Sequence, residues 1–94
     1  MNEMNRKKLY IWRLAAFLNS SGMRMSADEL AQHLNRNNFL TSYGQEFKGG
    51  RGTYRLIKQT WSWVNDDLGL PSKAQHIAEA FVDPSGNYAY QHQD

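Results

Sequence analysis

The densest anion-binding chemistry in the chain runs from Lys48 to Ser62. Lys48, Gly49, Gly50, Arg51, Gly52 and Thr53 come first, and Arg55, Lys58, Gln59 and Ser62 follow. Three glycines let backbone amides approach an anion closely, and the start of a helix adds its positive dipole to the full charges of Lys48 and Arg51. The spacing G-x-x-x-x-G-K-[ST] is missing, so this is not a nucleotide-binding P-loop. On a helical wheel Arg51, Arg55, Lys58, Gln59 and Ser62 fall within about 100° of arc. Arg and Lys can engage phosphate or guanine, Gln can pair with adenine, and Ser can contact base or backbone, so this face suits the major groove of a duplex. The plainer alternative is a glycine-rich turn leading into a solvated charged face.

Other chemistries find little support. Cysteine is absent, which removes disulfides, thiolate metal sites and cysteine nucleophiles. His33, His76 and His92 are far apart and form no i,i+4 pair, so no metal site is expected. Asp66 and Asp67 are adjacent and point about 100° apart on a helix, so they cannot act jointly on a substrate. No Gly-x-Ser-x-Gly elbow occurs. The expectation is a domain with no catalytic residues, metal or cofactor.

The element that must carry the cationic face is a helix from about Thr53 to Leu68, ended by Gly69 and Pro71. With Tyr54 at zero, Ile57, Trp61, Val64 and Leu68 form its core stripe within about 80°. Trp63 and Leu56 fall on a third side, as a contact with the next helix or an exposed aromatic patch for a protein partner or a second copy of the chain. Upstream, residues 5–20 form a first helix with apolar residues around most of its circumference, fit for the middle of a core or a homodimer interface. Ser26, Ala27, Asp28 and Glu29 make a capping box with Met25 and Leu30 as its staple, opening a second helix with a stripe of Ala27, Leu30, Ala31 and Leu34. Residues 37–52 are a loop whose Phe39, Leu40, Tyr43 and Phe47 are expected to tuck onto the core. A fourth helix over Ser72–Ala80 precedes a β-hairpin at 81–90, with Asp83, Pro84, Ser85 and Gly86 as its turn and Tyr88 and Tyr90 on one face.

Ninety-four residues make one domain, and an aromatic content of 13% supplies its apolar area. The net charge of +2 hides an asymmetry. Residues 1–60 hold ten Lys/Arg against four Asp/Glu, and residues 61–94 hold one against five. A polyanion or an acidic protein is the natural partner of the basic half. Trp12 and Arg13 interrupt the N-terminal apolar run, which falls short of the about 18 residues a membrane span needs. No export signal or span is read, and the cytoplasm is the expected compartment.

Glu29, Leu30, Ala31, Leu34, Asn35, Phe39, Leu40, Thr41, Tyr43 through Phe47, Thr53 and Ile57 together resemble the pattern of helix-turn-helix domains that follow the catalytic part of bacterial large serine recombinases. The resemblance covers about 30 residues. Asn38 stands where that pattern has glycine, and Gly49, Gly50, Arg51 and Gly52 lengthen the turn. No recombinase catalytic segment accompanies these residues, so excision or integration is not implied. The resemblance implies a bacterial or phage DNA-binding module of winged-helix type.

The reading is thus a single mainly α domain over residues 1–94, α+β at its C-terminus. It has a helix-turn-helix core of three to four helices, with the motif at 26–68 and a candidate wing at 81–90. Duplex DNA is the expected partner, through Lys48, Gly49, Gly50, Arg51, Thr53, Arg55, Lys58, Gln59 and Ser62, in a transcriptional regulator or mobile-element accessory factor. The alternative is a protein-interaction module using the same face or Trp63 and Leu56.

Overall fold

The computed structural model describes residues 3–41, 43–48 and 51–88, for Glu3 and Arg51 the backbone alone. The fold is mainly α, four helices with a small C-terminal β-hairpin, in the expected helix-turn-helix and wing arrangement. Helix α1 (Glu3–Ser20) buries one stripe, Lys7, Ile11, Ala15 and Leu18, against α3 (Arg51–Ser62) and α4 (Pro71–Ala80). It ends in a Schellman turn: Gly22 takes φ 69°, its amide bonds Asn19 O at 3.2 Å, and Met23 N bonds Leu18 O at 2.8 Å.

Strand β1 (Met25–Ser26) leads into α2 (Ala27–Arg36). Ser26 Oγ accepts the Glu29 amide at 3.1 Å, as a capping box requires. The Glu29 carboxylate answers the Ser26 hydroxyl, at 3.3 Å. Ala27, Leu30, Ala31 and Leu34 are buried as the periodicity predicts. A second Schellman turn closes α2. Asn38 adopts φ 62°, its amide bonds Asn35 O at 3.1 Å, and Phe39 N bonds Leu34 O at 3.0 Å. Asparagine tolerates this left-handed conformation better than other side-chain-bearing residues, so Asn38 does the work of a glycine.

The loop between α2 and α3 is pinned by one side-chain amide. Asn35 Nδ2 donates to Phe47 O at 2.7 Å, and Asn35 Oδ1 accepts from Phe47 N at 2.8 Å. Phe39 and Phe47 are buried, but Leu40 is exposed and Tyr43 is 88% exposed, contrary to the expectation that all four tuck inward. The cause is a tight turn built on Thr41. Its Oγ1 accepts the Tyr43 and Gln45 amides, its own amide bonds Gln45 O, and Gly44 at φ 75° completes the reversal, carrying Tyr43 outward.

Helix α3 begins at Arg51, and its buried stripe is Thr53, Leu56, Ile57, Thr60, Trp61 and Val64. That stripe is rotated by about 50° from the one expected through Tyr54. Thr60 can join it because its Oγ1 donates to Leu56 O at 2.8 Å. Thr53 Oγ1 is buried with no partner among the described residues. At Trp63–Asp67 the helix widens into a π-turn, with Leu68 N bonding Trp63 O at 2.9 Å. The wider pitch breaks the 3.6-residue phase, so Leu68, expected in the core, is 41% exposed.

Helix α4 starts with Pro71 in its first turn and buries Ala74, Ile77, Ala78 and Ala80. Strand β2 (Phe81–Val82) pairs in parallel with β1, Met25 opposite Phe81 and Ser26 opposite Val82. An antiparallel bridge between Val82 and Tyr88 then closes the hairpin. Asp83 Oδ1 accepts the Ser85 and Asn87 amides, and Gly86 takes φ 85°, as the turn chemistry predicts. Tyr90, expected beside Tyr88, lies outside the described residues. Arg24 secures the hairpin by donating to Glu79 O and to the Tyr88 hydroxyl. No described helix is long and apolar enough to cross a membrane.

Candidate nucleic-acid interface

Correcting the phase of α3 sharpens its outer face. With Thr53, Leu56 and Thr60 in the core stripe, Arg55, Lys58 and Gln59 stand about 180° from the middle of the buried side, and all three are exposed. Ser62 continues the face and is half-buried. Neither the Arg55 nor the Lys58 side chain makes a hydrogen bond or ion pair among the described residues.

Two grooves flank this ridge. One, of about 590 Å³, lies between α3 and the start of α1 and brings Met4 and Lys8 to the side of Arg55, Lys58, Gln59 and Ser62. The other, of about 240 Å³, lies toward the loop and is lined by Thr41, Tyr43 and Gln45, with Arg55 and Gln59 again on its wall. Arg55 and Gln59 therefore form the divide between them. Lys8 Nζ sits 5.9 Å from the Trp63 ring centroid, and Trp63 meets Trp12 edge-on with centroids 6.2 Å apart. This aromatic wall fixes one side of the larger groove.

The acidic C-terminal third also reaches the site. Asp66 and Asp67 line the larger groove at the π-turn, and Asn65 Nδ2 holds the Asp66 carboxylate at 2.8 Å. The groove thus carries three cations and two carboxylates along its walls. A polyanion would be drawn to the Arg55 and Lys58 part and repelled where Asp66 and Asp67 stand.

Arg55, Lys58, Gln59 and Ser62 share one face, and Lys48 is exposed on the loop leading to it. Arg51 opens α3 through its backbone, while its side chain, Gly49 and Gly50 lie outside the described parts. Thr53 is fully buried on the opposite side and cannot reach a macromolecule without unfolding α3 from the core. The Trp63 and Leu56 patch does not exist as a joint surface: Leu56 is buried on the corrected core stripe, and Trp63 is half-buried against Trp12.

Lys8, Met4 and Tyr43 enter the site from other elements. Sequence periodicity marks Lys8 as a wet position on the first helix, yet nothing local says that this position faces α3. Tyr43 was obscured by its aromatic character, which reads as core. Among the described residues no group of three or more metal-ligating side chains forms. Compared with models of protein families, with curated proteins and with solved structures, the chain gives no match.

Proposed function

We propose that this chain is a small duplex-DNA-binding domain that uses α3 as its reading helix. Arg55 and Lys58 would meet phosphate or guanine, Gln59 adenine, and Ser62 the backbone at the edge of the contact. Lys48 and Lys8 would anchor phosphates on either side, and the displayed Tyr43 hydroxyl would add a sugar-phosphate contact from the loop. Asp66 and Asp67 would end the footprint by repulsion. In this reading the domain is a non-catalytic cytoplasmic module, a transcriptional regulator or a mobile-element accessory factor, as the recombinase-like pattern around α2 and the loop suggests.

The observation that carries the reading is that Arg55, Lys58 and Gln59 project together from the side of α3 opposite its buried stripe, with no hydrogen-bond or ion-pair partner for either cationic side chain among the described residues. Fluorescence anisotropy with a mixed-sequence duplex of about 20 base pairs at about 50 mM salt tests it. Saturable binding is expected, weakened at least about tenfold in Arg55→Ala/Lys58→Ala. Absence of binding to any duplex at that salt would remove DNA from the picture.

A further inference from the structure

Helix α1 carries a second apolar stripe that its own fold covers only in part, with Leu9 and Trp12 half-buried and Ala16 exposed. The buried stripe runs through Lys7, Ile11, Ala15 and Leu18, whereas Leu9, Trp12 and Ala16 look along a groove of about 520 Å³ between α1 and α4. That volume lies in the range of ligand-binding clefts. Arg13 stands on the α1 rim and Lys73 on the α4 rim, both exposed, with the half-buried His76 between. Among the described residues no carboxylate lines this groove. Its polar end is occupied internally: Asn19 Nδ2 donates to Ala15 O at 2.9 Å and to His76 O at 2.8 Å.

We propose that this groove docks an amphipathic helix of a partner protein, with apolar anchors at i, i+3 or i+4, and i+7 flanked by Asp or Glu. The apolar floor takes the anchors, and Arg13 and Lys73 face the flanking carboxylates from opposite rims. A cleft between two packed helices offers no free strand edge for an extended peptide, but it accepts a third helix along its length. A nucleic acid would leave the apolar floor unused. A second copy of the chain, docked face to face through the same groove, would bring Arg13 and Lys73 against their own counterparts, and like charges so placed oppose association. Trp12 lines this groove and Trp63 the one beside α3, so the Trp12–Trp63 pair walls the two sites apart. Occupation here leaves the α3 ridge open, and the inference stands or falls independently of DNA binding.

Two synthetic peptides of about 18 residues, helical with Leu anchors, one flanked by Glu and its twin by Lys, provide the probe in an amide and indole NMR titration of the full chain. The expected shifts centre on Leu9, Trp12, Ala16 and Lys73, with the Glu peptide binding at least about tenfold tighter than its twin. Arg13→Glu/Lys73→Glu should reverse that preference, and Ala16→Trp should abolish both titrations by filling the floor. Both variants change exposed positions, and the free-protein spectrum verifies their fold. Equal binding of the twins, shifts centred on Arg55 and Lys58, or concentration-dependent shifts of the same residues without peptide would each overturn the proposal, the last by assigning the groove to a homodimer. At about 150 mM salt, where exposed charges more than about 8 Å apart are largely screened, duplex affinity in Arg13→Glu/Lys73→Glu should stay within about threefold of the wild type, and a loss of about tenfold or more would assign the groove to the nucleic-acid surface instead.

Discussion

Arg6 and Lys7 on α1 and Arg55 and Lys58 on α3 are equivalent in a charge count, yet they are held in different ways. The Arg6 guanidinium lies 4.8 Å from the Phe39 ring centroid, and Lys7, a buried residue, has its Nζ 5.7 Å from that of Phe47. Phe39 and Phe47 are the aromatics that dock the α2–α3 loop, so these cations hold the loop to α1. Such contacts are worth about 0.5–1 kcal/mol when exposed and about 2 kcal/mol or more when desolvated. Among the described residues Arg55 and Lys58 make no ring contact or ion pair, and both are exposed. Charge on a sequence therefore divides into a part that assembles the fold and a part left over for a partner. In these two pairs the rings beside Arg6 and Lys7 mark the difference, while Lys8, half-buried beside Trp63 on the wall of the larger groove, belongs to both.

The strongest way to break this contrast is to remove a ring from the assembling side. Phe47→Ala loses a buried aromatic, the platform of Lys7 and the packing that accompanies the Asn35 clamp. It should cost about 3–5 kcal/mol in urea or thermal unfolding. A cost under about 1 kcal/mol would mean that the loop is held by something else. Thr53→Val tests the boundary between the two sides. Its buried hydroxyl has no partner among the described residues, so exchanging it for a methyl should raise stability by about 1 kcal/mol and leave duplex affinity unchanged. A drop in affinity without a drop in stability would return Thr53 to the interface. The smallest expected effect is at the acidic end of the groove. Asp66→Asn/Asp67→Asn should tighten duplex binding a few-fold at low salt, in line with about 0.2–1 kcal/mol for exposed charge interactions, and the gain should fade as salt rises.

The helices were legible because their signals are local. Ser26 with Glu29, the 27/30/31/34 stripe and the Gly69 and Pro71 stop all act within a few residues. Asn38 and Asn35 were harder to read. Asn38 reads as a departure at the glycine position of the resembled pattern, and backbone geometry shows that it takes a glycine-like φ there. Asn35 acts across 12 residues on Phe47, a distance that periodicity does not cover. The phase of α3 was misread because threonine counts as polar on a wheel, although Thr53 and Thr60 present methyl groups and are buried. The cationic face survived that error, since the correction moved the core stripe further from Arg55 and Lys58. The grooves could not be foreseen at all, because they arise between α1 and its neighbours and depend on packing that no single stretch encodes.

The most direct test of the division between assembling and available cations is the salt dependence of duplex binding, followed from about 50 to 200 mM in the wild type and in Arg55→Ala/Lys58→Ala. If each side chain neutralises one phosphate, the double variant should keep its unfolding midpoint while its log–log slope becomes shallower by about 1.8. An unchanged slope would show that neither cation meets phosphate and contradict the assignment of α3.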